Sequence, residues 1–398
     1  FICFIVVFSL TACGANETIR EAEARAVKWI IEQKFGKMTI TRGLEHVFLG
    51  MHLKFNPADR STEVGVKDYL RECIRDSNLG IAHVAPTPAR KNLFAIDDTA
   101  EPLPEPERET FHSIVSKLLF AALRGRPDIL LPVIFLCGRA TKATIQDQKK
   151  LRRVLEYLNG TLDLVLTLSA DNLHNWQVWV DASFAVHPNM RSHTGATTSF
   201  GRGVFMCKTG QQKLNTTSST WAELVGVSDY LPNILWLINF MIHQGYPPKH
   251  VDLAQDNESA LRLCQNGRAL AGRRSRHIDI RHFFITDAAK QHNIRIHHCP
   301  TQHMLADFFT KPLQGSLFRK FRDALLGITH ISSLTDSSPA SEERVEDAGA
   351  INQKAVVERP ESPKSVTWSS IVRDGVSHQT KDASQSSLFE KSPVDSLK

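Results

Sequence analysis

The stretch Gln177-Val178-Trp179-Val180-Asp181-Ala182-Ser183 is an apolar run closed by an acid and two small residues. A short run rich in Val and Trp reads as a buried strand. The acid at its end is carried to the edge of a sheet, where functional groups gather. Downstream, residues 194–200 and 204–208 read as a second and third strand, and Ser218-Ser219-Thr220 announces a helix from Ser219 to about His243. A strand over 251–255 follows, then a short helix from Glu258, a helix over 278–290, a strand at 294–298 and a last helix near Met304. Three strands, a helix, then alternating strand and helix predict a mixed α/β sheet.

Four acids stand at defined places in this segment. Asp181 ends the first strand, Glu223 lies about one turn inside the long helix, Asp256 follows the strand over 251–255 directly before Asn257, and Asp307 falls in the last helix. Singly, Asp181 and Asp256 read as strand-end caps and Glu223 as a solvated helix residue. Brought together, four carboxylates would repel one another unless cations neutralised them, and hard ions with oxygen ligands, Mg or Mn, suit that task. Two such ions can activate a water and stabilise the leaving oxygen of a phosphodiester. Spacing alone does not bring the four together.

Five segments occur in order: Val180-Asp181-Ala182-Ser183, Ser218-Ser219-Thr220-Trp221-Ala222-Glu223, Gln255-Asp256-Asn257-Glu258-Ser259-Ala260, Arg276-His277-Ile278-Asp279-Ile280-Arg281-His282 and Ala306-Asp307-Phe308-Phe309-Thr310-Lys311-Pro312-Leu313. As an ordered set they closely resemble the ribonuclease H (RNase H) region of copia-type LTR-retrotransposon Pol polyproteins. Upstream, Phe111-His112-Ser113-Ile114-Val115, Leu118-Leu119-Phe120, Arg126-Pro127-Asp128-Ile129-Leu130 and residues 147–160 resemble the same polyproteins, and residues 48–51 resemble a strand in the distal part of their reverse transcriptase. The likeness covers about residues 15–328.

The resemblance implies that Asp181, Glu223, Asp256 and Asp307 form the metal-binding, catalytic quartet of an RNase H fold. It implies two Mg ions, with Mn as a substitute, and hydrolysis of the RNA strand of an RNA–DNA hybrid to leave a 3′-hydroxyl. Ser183, Asn257 and Lys311 belong to the same motifs and are assigned to nucleic-acid contact. Two departures stand out. Trp221 occupies a place where many relatives carry another acid, and the mobile His of cellular enzymes has no one-to-one match among His297, His298 and His303.

The fold class expected is α/β: an RNase H-like mixed five-stranded sheet flanked by helices over 171–328. A partial α+β end of a reverse transcriptase (1–60) and a mostly helical connection region (61–170) precede it, and a disordered Ser-rich tail (329–398) follows. Within these, residues 16–34 carry a helical stripe, 48–55 reads as a strand, 67–76 as a short helix, 86–106 as an exposed Pro-rich loop, and 111–124 and 143–158 as helices. The last 70 residues hold 15 serines and few large apolar groups, too few to offset the entropy of ordering. Within that tail, the Val-Thr-Trp-Ser-Ser-Ile-Val run around Trp368 is compatible with a short binding motif.

The chain has 398 residues, 42% apolar and 23% charged, with 48 Lys and Arg against 42 Asp and Glu for a net charge of +6. That excludes a collagen-like, polytopic membrane or wholly disordered protein and permits a polyanionic partner. Seven scattered cysteines without CxxC spacing speak against a disulfide framework and for a reducing compartment. The start at Phe1 suggests a fragment of a longer reading frame. Residues 1–10 are apolar before Cys13, but lack the positive start of a signal peptide and fall short of the ~20 residues that span a bilayer. They read as a buried strand, and no stable membrane association is expected.

Between two of the acids, residues 262–295 carry Arg262, Arg268, Arg273, Arg274, Arg276, Arg281, Lys290 and Arg295 against Asp279 and Asp287. A basic run is commonly a solvated face. Its position here reads as a phosphate-tracking groove, with Arg273, Arg274 and Arg276 as contacts and recognition by hybrid shape and 2′-hydroxyls. His297-His298-Cys299 with His303 is a poor zinc site, because adjacent histidines on a strand point to opposite faces. Asp97-Asp98, the one adjacent Asp pair, lies downstream of the strand at Phe48 and before a Pro- and Glu-rich loop, the wrong place for a polymerase pair. The partners expected are an RNA–DNA hybrid and an N-terminal reverse-transcriptase portion, in cytoplasmic retrotransposon particles or the nucleus. The alternative is a remnant that binds nucleic acid without cutting it.

Overall fold

The computed structural model describes residues 32–34, 36–37, 43–266 and 276–335. The strand expected over 1–10, most of the helix over 16–34, Arg268, Arg273, Arg274 and the chain beyond 335 lie outside them, as does the side chain of Arg276.

Residues 48–55 were expected as one strand and form a hairpin instead. Strands β1 (Glu45–Phe48) and β2 (Met51–Asn56) pair antiparallel around Leu49-Gly50, both with positive φ (50° and 76°). Two left-handed residues make the tight turn whose twist matches the strands it joins. Strand β3 (Ser61–Gly65) pairs with β2 from Asn56 opposite Ser61, so the expected boundary between 60 and 61 falls inside a hairpin.

Helix α1 (Lys67–Asp76) follows, then α2 (Glu105–Arg124), α3 (Leu130–Cys137) and α4 (Ile145–Asn159). Pro106 and two glutamates open α2, where a missing N–H costs nothing and the helix dipole favours acids. Asp147 closes the start of α4 by accepting from the Thr144 N–H at 3.0 Å. The Arg126-Pro127-Asp128 motif forms a fully buried ion pair, Arg126 Nε to Asp128 Oδ1 at 2.9 Å and Nη2 to Oδ2 at 2.8 Å. The Tyr157 hydroxyl donates to Asp128 at 2.6 Å and Arg126 donates to the Thr161 carbonyl at 2.8 Å, which ties α4 to the start of α3. The loop over 86–106 is not exposed throughout: Thr87, Pro88, Ala89, Leu93, Phe94 and Leu103 are buried. Strand β4 (Leu166–Ala170) returns to pair with β3.

The second sheet begins with β5 (Asn175–Ser183), β6 (His193–Ser199) and β8 (Met206–Gln211); the short β7 (Gly201–Arg202) between β6 and β8 pairs with β4 and is the edge strand of the first sheet. Helix α5 (Ser219–His243), β9 (His250–Gln255), α6 (Glu258–Asn266), α7 (Arg276–Gln291) and β10 (Ile294–His298) follow. The strand order is β10-β9-β5-β6-β8: β9 pairs parallel with the central β5 and with β10, while β6 pairs antiparallel with both β5 and β8 and is the one strand that runs against the others. This is the expected mixed five-stranded sheet.

Strand alternation divides the core. Trp176, Val178 and Val180 face α5 and pack with Val227, Leu231 and Ile234, while Trp179 faces the other way, into the cluster that holds Met304, Phe308 and the upstream helices. Helix α5 is long and apolar enough to cross a membrane, and that apolarity is spent here on the sheet it covers.

The C-terminal end corrects two expectations. Asp307 sits on a 3₁₀ turn, Leu305–Phe309, not on an α-helix; helix α8 (Gly315–Leu325) comes after it. The ordered chain also passes 328, since Ile331 and Leu334 are buried and His330 pairs with Asp171 at 2.9 Å.

Candidate active site

Parallel pairing of β5 and β9, with Trp179 opposite Ala254, brings Asp181 and Asp256 to the same end of neighbouring strands. The 3₁₀ turn delivers Asp307 to that end. One carboxylate oxygen from each of Asp181, Asp256 and Asp307 lies within 4.8 Å of the others. Asp181 and Asp307 are 2% and 3% exposed and Asp256 is half-buried. Glu223 stands outside that triad but beside it: it is buried on α5 and its Oε2 accepts from Gln255 Nε2 at 3.3 Å.

The motif that carries Asp307 explains itself in the fold. Phe308 and Phe309 anchor the turn in the core, Thr310 donates to Asp181, and Lys311 donates to Asp307 Oδ1 at 2.7 Å with Asp181 Oδ1 at 3.7 Å. Asp256 accepts from Thr301 Oγ1 at 3.4 Å.

Electrostatically the cluster is crowded. Burial, with the charges of Asp181 and Asp256, raises Glu223 well above the usual carboxylate range. Burial and the Asp181 charge push Asp307 up to about 7 against the pull of Lys311, and the same two causes raise Asp256. Burial would lower Lys311, but Asp181 and Asp307 more than offset it and hold the ammonium above its ordinary value. Buried, mutually repelling oxygen donors of this kind fit a hard divalent cation, whose charge would relieve what one ammonium only partly neutralises.

The other assigned contacts fare differently. The Ser183 hydroxyl is buried and donates to the Thr310 carbonyl at 3.3 Å, and Asn257 Oδ1 accepts from the Ala260 N–H at 3.0 Å as the cap of α6. Both side chains are engaged in holding the site's own backbone. In the basic segment, Arg281 bonds to Asp229 and Arg262 pairs with Glu258 at 3.4 Å within α6. Asp97 accepts from the Thr99 N–H and hydroxyl at 3.0 and 2.6 Å in an exposed turn. His297 and His298 are exposed, and among the described residues the acid triad is the one cluster with metal-binding spacing.

Sequence reasoning missed Gly195. It lies opposite Asp181 in β6, and a Cβ there would come within 2.7 Å of both Phe309 Cβ and Thr310 Cγ2 and 2.9 Å of the Ala306 carbonyl. Only a glycine lets the Asp307 turn lie on the strand. A glycine inside the Thr-rich stretch 194–198 was the available signal. A buried chain also escaped notice. Thr209 donates to the Phe309 carbonyl at 2.6 Å and so accepts from His193 Nε2 at 2.6 Å, while His193 Nδ1 accepts from His187 Nε2 at 2.9 Å. Phe94, from the upstream loop, packs its ring against both histidines at 4.8 and 5.1 Å.

No family model matches the chain. Over 278 residues it is 27% identical to the retrovirus-related Pol polyprotein from transposon RE2 of Arabidopsis thaliana, covering 69% of this chain and 19% of that one. The chain resembles copia-type Pol polyproteins. It spans about a fifth of the length of such a Pol relative. Among solved structures, the RNase H1 isolated from compost is similar over 34% of this chain and 91% of its own at 13% identity (TM-score 0.27). The foamy viral protease–reverse transcriptase in complex with an RNA/DNA hybrid is similar over 69% of this Pol-like chain and 31% of its own at 12% identity (TM-score 0.37).

Proposed function

We propose that this chain is a C-terminal portion of a copia-type Pol polyprotein and that its second sheet carries a nuclease hydrolysing the RNA strand of RNA–DNA hybrids. The observation that carries the reading is the meeting of Asp181, Asp256 and Asp307, from two parallel strand ends and a separate turn, at a spacing of 4.8 Å or less with Glu223 alongside. Three such groups are far apart in sequence and have no structural need to share a buried point.

Asp181, Glu223, Asp256 and Asp307 would hold two Mg ions, with Mn as a substitute. When bound, the ions supply an activated water and a counter-charge for the leaving oxygen of a phosphodiester. The chain's own residues fix the geometry. Thr310 orients the Asp181 carboxylate, Gln255 turns Glu223 toward the cluster, and the phenylalanines beside Asp307 keep its turn pressed on β6. Lys311 holds Asp307 and partly neutralises the group. The expected hybrid contacts at Arg273, Arg274 and Arg276 remain part of the proposal. Asp97 and Asp98 supply no polymerase site, so no polymerisation is assigned to these residues.

The test is cleavage of a labelled RNA–DNA hybrid by the full chain in Mg and in EDTA. Metal-dependent cutting of the RNA strand alone, leaving a 3′-hydroxyl, is expected. Asp181→Asn is expected to lower cutting by about 10²–10³-fold or more while hybrid binding persists. Cleavage that survives Asp181→Asn would sink the site assignment. A protein that binds the hybrid and never cuts it would instead support the remnant reading, which the Lys311 ammonium, already seated among the acids, favours.

A further inference from the structure

Helix α4 presents a second charged surface, away from the acids. Lys149, Arg152, Arg153 and Glu156 fall at helical spacing on one side and, with Arg90, Lys150 and the turn over 88–89, line an open groove of about 350 Å³. Five cations thus face one carboxylate.

Two of the five are used internally. Arg153 donates through Nε to the Thr87 carbonyl at 3.0 Å, and Lys150 donates to the Ala95 carbonyl at 2.6 Å over the Phe135 ring. Arg90, Lys149 and Arg152 have no acidic partner within ion-pair distance among the described residues, and Arg90 and Lys149 are exposed. Burial and the charge of Arg90 pull Arg153 below its ordinary value, and the opposing charge of Glu156 only partly offsets them.

This groove is joined to the acid cluster by a short bonded path. Thr87, held by Arg153, donates to Gln314 at 3.0 Å, and Gln314 donates to the carbonyls of Ala89 and Pro312 at 2.9 and 3.0 Å. Pro312 directly follows Lys311. The buried turn at Pro88 and Ala89 also lines a narrow crevice with Phe308 and Lys311 on its other side. The groove and the carboxylates therefore flank one rigid turn.

We propose that Arg90, Lys149 and Arg152 bind the phosphodiester backbone of the nucleic acid beyond the cleavage point, so that the connection helix and the acid cluster hold one hybrid together. The proposal rests on the nuclease reading above and names a part of its substrate surface. A row of cations without acidic partners along an open groove recognises charge and not sequence.

The test is hybrid binding by the full chain in EDTA over a salt series. Arg90→Gln/Lys149→Gln/Arg152→Gln is expected to lose about tenfold or more in affinity at physiological salt, with a log–log salt slope shallower by about two to three. The charge-keeping Arg90→Lys/Lys149→Arg/Arg152→Lys variant should retain both and reports on the groove if the neutral variant misfolds. Removal of three charges elsewhere, Lys54→Gln/Arg60→Gln/Arg71→Gln, should change the slope much less. An unchanged slope in the groove variant, or an equal loss in the distant one, overturns the proposal. Because binding is read without metal, a chain that binds through the groove and never cuts in Mg would sink the nuclease and leave the groove standing.

Discussion

Lys311 Nζ lies 2.7 Å from Asp307 Oδ1, one turn along the same segment, and 3.7 Å from Asp181 Oδ1 on a different element. The protein thus carries its own partial counter-charge for a buried acid cluster. Such an ammonium would compete with a bound cation for the acids it holds together. In Lys311→Met, the acids lose that neutralisation. Melting in EDTA should fall by about 2–4 °C, and the rise on adding Mg should exceed that of the parent. Equal Mg shifts in the two proteins would show that Lys311 does not share the cation's place.

Gly195→Ala places a methyl group 2.7 Å from Phe309 Cβ and 2.9 Å from the Ala306 carbonyl oxygen, and the latter cannot rotate away. The Asp307 turn must lift off β6. A cost of about 1–3 kcal/mol in urea unfolding is expected, together with loss of hybrid cleavage. A variant as stable and active as the parent would mean that the turn has slack.

Asp128 has both carboxylate oxygens engaged by Arg126 and one also by Tyr157, with no exposure of the ion pair. Asp128→Asn leaves a guanidinium buried without its counter-charge. A loss of about 3–5 kcal/mol is expected by denaturant unfolding. Arg126→Met with Asp128→Leu should cost much less than Asp128→Asn, since it removes both charges.

His187 and His193 titrate in a way that makes stability depend on acid. Burial pulls His187 down to about 4, and burial with the neighbouring His187 pulls His193 down to about 3, against 6.5 for both in the unfolded chain. The unfolded state therefore takes up protons first as pH falls. Their contribution is complete above about pH 6.5 and is lost progressively as pH falls from there toward 4 and 3. In His187→Gln the decline in unfolding free energy between pH 7 and 5 should be shallower than in the parent. Parallel declines would remove His187 as a source.

Much of the second sheet was legible because its signals are local. Alternation and length placed β5, β9 and β10, and Ser218 with Ser219 placed the start of α5, whose first-turn Trp221 N–H does donate to the Ser218 hydroxyl at 3.3 Å. Helix α3 was missed because Leu130–Cys137 is short and apolar on every side, with no stripe to reveal its period. β4 was missed because Leu166–Ala170 gains strand geometry only by pairing with β3 some hundred residues earlier in the chain. The loop over 86–106 looked solvated because its prolines and acids dominate its composition, whereas Leu93, Phe94 and Leu103 decide its position.

By itself the sequence determined which residue types were available and where: an acid at each of two strand ends, one inside the long helix, one in Ala306-Asp307-Phe308-Phe309, and a lysine four residues later. Those follow from side-chain period and capping chemistry, which act over a few residues. Only the tertiary structure decided that Asp181, Asp256 and Asp307 share a point while Glu223 stands beside it, that Ser183 and Asn257 serve the backbone, and that a glycine opposite Asp181 admits the Asp307 turn. Apart from the local cap at Asn257, those outcomes depend on strand register and on ångström-scale contact between segments tens of residues or more apart, and register is set by which faces the whole chain manages to bury.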